Sequence, residues 1–469
     1  MRIIAIVILS ITFGLCNAQN KKAYRIEKKS IHSENYVRDK TNTEISDSIV
    51  LDYSVSIPNA VWLRLIFSDY YLGDQSYLMI KSLKDGSTQI HNQKTLIDWR
   101  KKSAAFNGGD VEIKLVVKGG AKNVFFNIDS VIVGETGQSI FGIESLCGAD
   151  NRVGSNDGRV GRIPVIRESL FGWCTVWLVS NGAILTAGHC VDYDPYPGGD
   201  GTLDLLAGDF IEFNVPASQA NGAINLAAAQ DQYPIDIINC VIPAGWQQGA
   251  DWSVLSCLPN ANTGLLPHQA QGNFYRMTRE SPALDNNVRI TGFGVDDNPE
   301  GPGPAAPDGR LYNADNATQQ TNAGAYVGEI SNGARFWHRY SVDTEPANSG
   351  SPIIWEANNN FTIGIHTNGG CKATGGSNSG TSFEHDALEN ALQNFHGGNS
   401  IYVDVLSLSP IENGSIFSPF NTVQEGVNST PNGGRLYITT GTYNGNSNLN
   451  INREITILSP SNGTIVINP

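Results

Sequence analysis

Lysine is almost missing from the back of this 469-residue chain: after Lys122 only Lys372 remains. Residues 19–140 carry 17 basic against 14 acidic side chains, whereas residues 141–469 carry 13 against 31. With a net charge of −14, the chain offers no polybasic face for nucleic acid or an anionic membrane. Charged residues make up only 16 % while glycines number 50, which favours strands and turns over long charged helices. Past the first eighteen residues, no apolar run approaches the length that spans a bilayer. Cys-x-x-Cys pairs are absent, so no cysteine-built zinc site is expected, and neither is a cofactor.

What is present begins with an export signal. Arg2 is followed by an apolar stretch to Leu15, then by Asn17-Ala18 as a small-residue cleavage site, so residues 1–18 read as a signal peptide. The expected location is secreted, periplasmic or extracellular. Six cysteines remain after its removal, an even number that reads as three disulfides.

Three folded units follow. Residues 19–140 alternate apolar and polar side chains in short runs, as in Val111-Glu112-Ile113-Lys114-Leu115, and predict an antiparallel β-sandwich. This unit is a pro-segment or a retained accessory domain, and its net positive charge favours docking on the acidic remainder. Residues 141–398 are strand-rich, with a Pro/Gly-rich loop at 298–309 and a helix at 386–395 carrying Leu388, Leu392 and Phe395 on one face. They predict a large all-β unit of two packed barrels. In residues 399–469, a short helix at 420–427 and closely spaced strands resemble the opening rungs of a parallel β-helix. Contact with glycans or surfaces is the role expected of this tail.

The middle unit holds three chemically notable segments. Thr186-Ala187-Gly188-His189-Cys190 follows an apolar strand and is preceded by Cys174. A disulfide between the two cysteines would anchor the His189 turn and stabilise by about 3 kcal/mol in the chain-entropy model. In Asn348-Ser349-Gly350-Ser351-Pro352, glycine after serine allows a sharp turn that exposes the hydroxyl and the backbone amides. In Gly249-Ala250-Asp251-Trp252-Ser253, an acid opens an apolar strand, where it could hold an imidazole. Each segment alone is weak, and Asp251 alone reads as a strand cap.

Together they resemble the trypsin-like serine endopeptidases over residues 147–397, with His189, Asp251 and Ser349 in that family's chain order. Ile290-Thr291-Gly292-Phe293-Gly294 is similar to the family's mid-domain Gly-aromatic-Gly strand. The serine loop, with Gly364-Ile365-His366, most resembles the bacterial glutamyl endopeptidases. The resemblance implies a double β-barrel acting on protein or peptide substrates through a Ser349–His189–Asp251 triad, with Thr367 hydrogen-bonded to the acid. The N–H groups of Ala347 and Ser349 would bind the oxyanion. Glycine is usual where Ala347 stands, so the hole is expected to need substrate or maturation to form. An inactive homologue that only binds partners is the competing reading. Ser351 is the other candidate nucleophile.

Asn348 is neutral and cannot pair with a new α-amino group, so activation is expected through removal of the N-terminal unit, with a cut between about residues 135 and 146. Glu345 occupies the position that usually supplies a half-cystine to Cys371, which implies Cys147–Cys371 and leaves Cys240–Cys257. Thr344 and His366 match positions that bind glutamate, whereas Asp343 stands where trypsin selects Arg or Lys.

Overall fold

The computed structural model describes residues 24–37, 48–135, 145–167, 170–193, 198–204, 209–297, 312–407, 409–446 and 449–468. The expected signal peptide, most of the expected cleavage window and the loop at 298–309 lie outside the described residues. The fold is mainly β, with a double-barrel unit between two smaller β units.

Two four-stranded sheets make the N-terminal sandwich. One has the order Tyr24–His32, Phe125–Gly134, Trp62–Tyr71, Phe106–Asn107, and the other Ile49–Ser56, Asp110–Val117, Tyr77–Ser82, Thr88–His91. The period-two pattern of Asp110–Val117 turns Val111, Ile113, Leu115 and Val117 inward, where Leu63, Leu65 and Phe67 meet them from the facing sheet. This core continues into the barrel unit through Phe210, Ile224 and Leu226.

A polar seam runs beside that apolar contact. The Gln232 amide accepts from Ala105 N–H and donates to Ala105 O (2.9 and 2.7 Å). Asn107 clamps Leu226 N–H and O in the same way, and Asn262 clamps Ile90 N–H and Thr88 O at the sandwich's edge strand. The Gln232 and Asn107 amides each close backbone groups that burial would otherwise leave unpaired. Buried Asp209 receives Arg64, Arg100 and Lys102 from the sandwich. Among the described residues, none of the sandwich's hydrogen bonds or ion pairs reaches Asp251 or Ser349.

The first barrel is a six-stranded sheet ordered Gln232–Pro234, Phe210–Glu212, Val160–Arg167, Leu170–Leu178, Ile184–Thr186, Ser253–Leu255. The second runs Asn287–Gly292, Pro352–Trp355, Phe361–Asn368, Asn378–Ser382, Arg335–Ser341, Gln320–Asn332, Val153–Gly154, and closes because Asn287–Gly292 also pairs with Gln320–Asn332. The helix Asp386–Gln393 ends two residues earlier than the pattern predicts, and Leu388 and Leu392 are buried at their predicted positions.

In the C-terminal unit, Ser400–Val403, Gly434–Ile438 and Ile455–Leu458 pair in parallel, with Ile401, Leu436 and Ile457 in register. The helix Val423–Ser429 starts later than expected because the Thr422 hydroxyl caps Glu425 N–H. Tyr402, Phe417 and Tyr437 pack in one cluster with Trp177, Phe383 and Leu388, and Arg276 pairs with Asp404 at 2.6 Å. Among the described residues, no helix is long and apolar enough to cross a membrane.

Candidate active site

The site starts from a strand pairing. Thr186 lies opposite Ser253, so the turn after Thr186 meets the residues just before Ser253. His189 sits in the one-turn helix Gly188–Cys190, tied to Leu170–Leu178 by the Cys174–Cys190 disulfide. Asp251 is buried beside it. One carboxylate oxygen lies 2.6 Å from His189 Nδ1 and the other accepts the His189 backbone N–H at 3.0 Å. Asp251 thereby sets the place of both ring and backbone. Its own main chain is clamped by Thr381, whose hydroxyl donates to Asp251 O and accepts from Asp251 N–H. Thr367 does not take the role expected of it, because its hydroxyl donates to Asn368.

Ser349 is brought to this turn by its backbone. Its carbonyl accepts Thr175 N–H at 2.8 Å and lies 3.8 Å from the Cys190 sulfur. Gly350 has φ 91°, and a Cβ there would run into the Thr175 carbonyl and the Thr186 hydroxyl. Gly294 lets the segment after the Asn287–Gly292 strand pass beneath the serine loop, since a Cβ would strike the Asn348 amide. Ser349 is partly exposed, whereas Ser351 is 0 % exposed and its Oγ is buried without a partner. That burial withdraws Ser351 as a competing nucleophile.

Ala347 adopts φ 78°, the left-handed region that glycine would occupy without strain. Among the described residues, neither its N–H nor that of Ser349 donates to a protein acceptor. Ala347→Gly is expected to stabilise the chain by up to about 1 kcal/mol, read as a shift in the urea unfolding midpoint. A destabilised variant would contradict the strain at this position.

The wall beside Ser349 answers where the three specificity candidates point. Asp343 accepts backbone N–H groups from Cys147 (2.8 Å) and Asn151 (3.1 Å), so its charge is spent on the chain that enters the barrel. The Thr344 hydroxyl meets Ser145 Oγ and Asn378 Nδ2, both at 3.0 Å. His366 Nδ1 lies 2.7 Å from the Tyr340 hydroxyl, and burial lowers the imidazole pKa to about 3, so the ring is neutral near pH 7. Sequence reasoning missed Asn378, which also holds Ser145 O, Val342 O and the N–H groups of Gly370 and Cys371. It missed Thr381 and Tyr340 as well; a lone polar residue in a strand carries no local signal of its partner.

Cys147 and Cys371 are joined. The expected Cys240–Cys257 bridge is absent, and both remain thiols. Val241 pairs with Val254 and Ile235 with Cys257, a register that does not set the two cysteines opposite each other. Burial pushes the Cys240 thiol up to about 12, away from reactive thiolate. Cys174, His189 and Cys190 cluster as potential metal ligands, but the two sulfurs are bonded to each other.

Residues 160–384 match the family model described as Trypsin. No curated protein matches the chain significantly. Among solved structures, a Glu endopeptidase in complex with MPD is 16 % identical with a TM-score of 0.34, covering 53 % of this chain and 97 % of its own. A thermostable serine protease, AL20, from an extremophilic microorganism is 13 % identical with a TM-score of 0.36, covering 50 % and 95 %. An inactivated protease paralogue of the scabies mite is 12 % identical with a TM-score of 0.35, covering 53 % and 99 %.

Proposed function

We propose that this protein, whose residues 160–384 form a trypsin-family serine endopeptidase domain, cleaves peptide bonds after glutamate through Ser349, His189 and Asp251. The observation that carries the reading is the paired hold of Asp251 on His189 Nδ1 and His189 N–H beside the Ser349 loop. His189 Nε2 takes the Ser349 Oγ proton as the oxygen attacks the scissile carbonyl. The same nitrogen protonates the leaving amine, and water then releases the acyl group. Ala347 N–H and Ser349 N–H receive the oxyanion.

The glutamate preference rests on the wall. An Asp343 already engaged by two backbone amides is not available to a substrate cation. Thr344 and His366 are the hydroxyl and imidazole that would meet a substrate carboxylate, with Thr344 exchanging its Ser145 and Asn378 partners on binding. A neutral His366 must gain a proton to form an ion pair with that carboxylate, so discrimination of glutamate over glutamine substrates falls as pH rises above about 4.3, where the substrate carboxylate is ionised and His366 is already losing its proton. Paired peptides ending in Glu, Gln or Arg test this. Efficient cleavage after Arg, or a Glu/Gln ratio unchanged with pH, contradicts it.

The two disulfides fit an exported protein. The sandwich is better read as a retained accessory domain than as a plug, because its contacts fall on the first barrel through Asp209, Leu226 and Gln232. The parallel C-terminal unit is a module for glycan or surface contact.

A further inference from the structure

The C-terminal unit seats one face of its parallel sheet against the barrel unit, and a cavity of about 350 Å³ is left where the two meet. Strand register decides what that face presents. Arg435 lies between Ser400 and Thr456, and Tyr437 between Tyr402 and Leu458. Leu436 alternates to the other side, into the unit's own core. Arg435, Tyr437 and Leu458 therefore line the cavity from the C-terminal unit, and His268 and His396 line it from across the junction.

The charge there is unspent. Among the described residues, the Arg435 guanidinium donates to His396 O and pairs with no carboxylate, and none of the residues lining the cavity is acidic. The histidines add no standing charge near pH 7. Burial, reinforced by His396, lowers His268 to about 4, and its Nδ1 is buried without a partner. Burial and the Arg435 charge lower His396, outweighing Asp236, which acts on it from outside the lining. Tyr437 and Leu458 supply apolar surface, with the Tyr437 ring backed by Tyr402 in a stack at 5.1 Å. Gln269, Ser459, Ser461 and Asn462 add amide and hydroxyl groups.

We propose that this cavity binds a carboxylate-bearing sugar ring, a uronic acid residue of an acidic glycan. Arg435 takes the carboxylate, fork to fork. Tyr437 and Leu458 take the C–H face of the ring, and the amide and hydroxyl side chains take its hydroxyls. The volume lies at the small end of ligand sites, about 300–1,000 Å³. A free amino acid fits worse, because no acid lines the cavity to receive its ammonium. A simple fatty or aromatic acid would leave the polar side chains unpaired. Residues of the trypsin-family domain form one wall, so a glycan held here fixes the endopeptidase itself on the surface that carries the glycan.

This inference rests on the reading of the C-terminal unit as a glycan-contact module, and the test separates the two. Methyl glucuronide and methyl glucoside, which differ only in the carboxylate, are titrated against full-length wild type, Arg435→Gln and Ser459→Trp at pH 7, read by saturation-transfer NMR with thermal melting as the fold control. The glucuronide is expected to bind at least about tenfold tighter than the glucoside, and to lose about tenfold or more in Arg435→Gln while the glucoside is unchanged. Ser459 is exposed, so a tryptophan there fills the cavity without removing its charge and is expected to abolish binding of both; it decides alone if Arg435→Gln does not fold. Equal binding of the two glycosides, or glucuronide binding undiminished in both variants, overturns the inference and leaves a glycan module with its site elsewhere. Displacement of the glucuronide by an equal concentration of N-acetyl-triglycine overturns it in favour of a peptide C-terminus. Binding of neither glycoside overturns the inference and the glycan reading together.

Discussion

Asp251→Asn is expected to lower kcat about 10⁴-fold while the chain stays folded. The carboxylate does two things that an amide cannot do together. It accepts His189 N–H, and it accepts the proton of His189 Nδ1 at 2.6 Å, which leaves Nε2 the unprotonated ring nitrogen that acts as base. An asparagine NH₂ facing Nδ1 would select the opposite tautomer, with the proton on Nε2 and no base toward Ser349. Its carbonyl oxygen facing Nδ1 would restore the tautomer but strip the charge that stabilises the imidazolium. KM is expected to change far less, because Asp251 is buried and touches no substrate. Initial rates on a fluorogenic peptide measure this. A loss under tenfold would mean that His189 is not the base.

Asp209→Ala is expected to cost about 3–5 kcal/mol of stability, since it strands buried positive charge. Arg64 is fully buried and Lys102 largely so, and both point at this one carboxylate. Asp52→Ala is the control: Asp52 pairs with Lys114 at the surface and should cost less than about 1 kcal/mol. Equal losses in the two variants, by urea unfolding, would contradict the proposed weight of the interdomain cluster. The pH dependence follows the same groups. Burial alone would raise the Asp209 pKa, but Arg64, Lys102 and Arg100 outweigh it and hold the carboxyl well below its usual range. Its contribution is present above the unfolded carboxylate pKa and is lost as pH falls through the folded value. Burial lowers His91 and His366 to about 3, so on acidification the unfolded chain takes their protons first, and stability falls from about pH 6.5 down to about pH 3.

Local chemistry was what the sequence displayed. The His189 turn with Cys190, and the Ser349-Gly350 elbow, are each only a few residues long, so the fold could only place them, not redefine them. The Gly292-Phe293-Gly294 segment was likewise visible, though its strand ends at Gly292, and its reason emerged on folding: Gly294 clears the Asn348 amide and Gly292 clears Ser351. The missed features are long-range. Asn378 joins Ser145, 233 residues away, to Val342 and Thr344, and nothing near position 378 announces it. Thr381 clamps the Asp251 main chain while Thr367 turns to Asn368, because strand register, not proximity to the motif, decides which hydroxyl reaches the residue. The Cys240–Cys257 assignment came from counting what remained, and counting does not see register. The sandwich's charge was readable, but its convergence on one carboxylate needed the folded surface of both units.

The most direct test of the central claim is casein hydrolysis by purified full-length protein beside Ser349→Ala, each also treated with a serine-directed fluorophosphonate. The account predicts hydrolysis and a single label on Ser349 in the wild type, and in the variant no label and a loss of at least about 10³-fold. Activity unchanged in Ser349→Ala, or a wild type that neither hydrolyses casein nor takes the label, would contradict it.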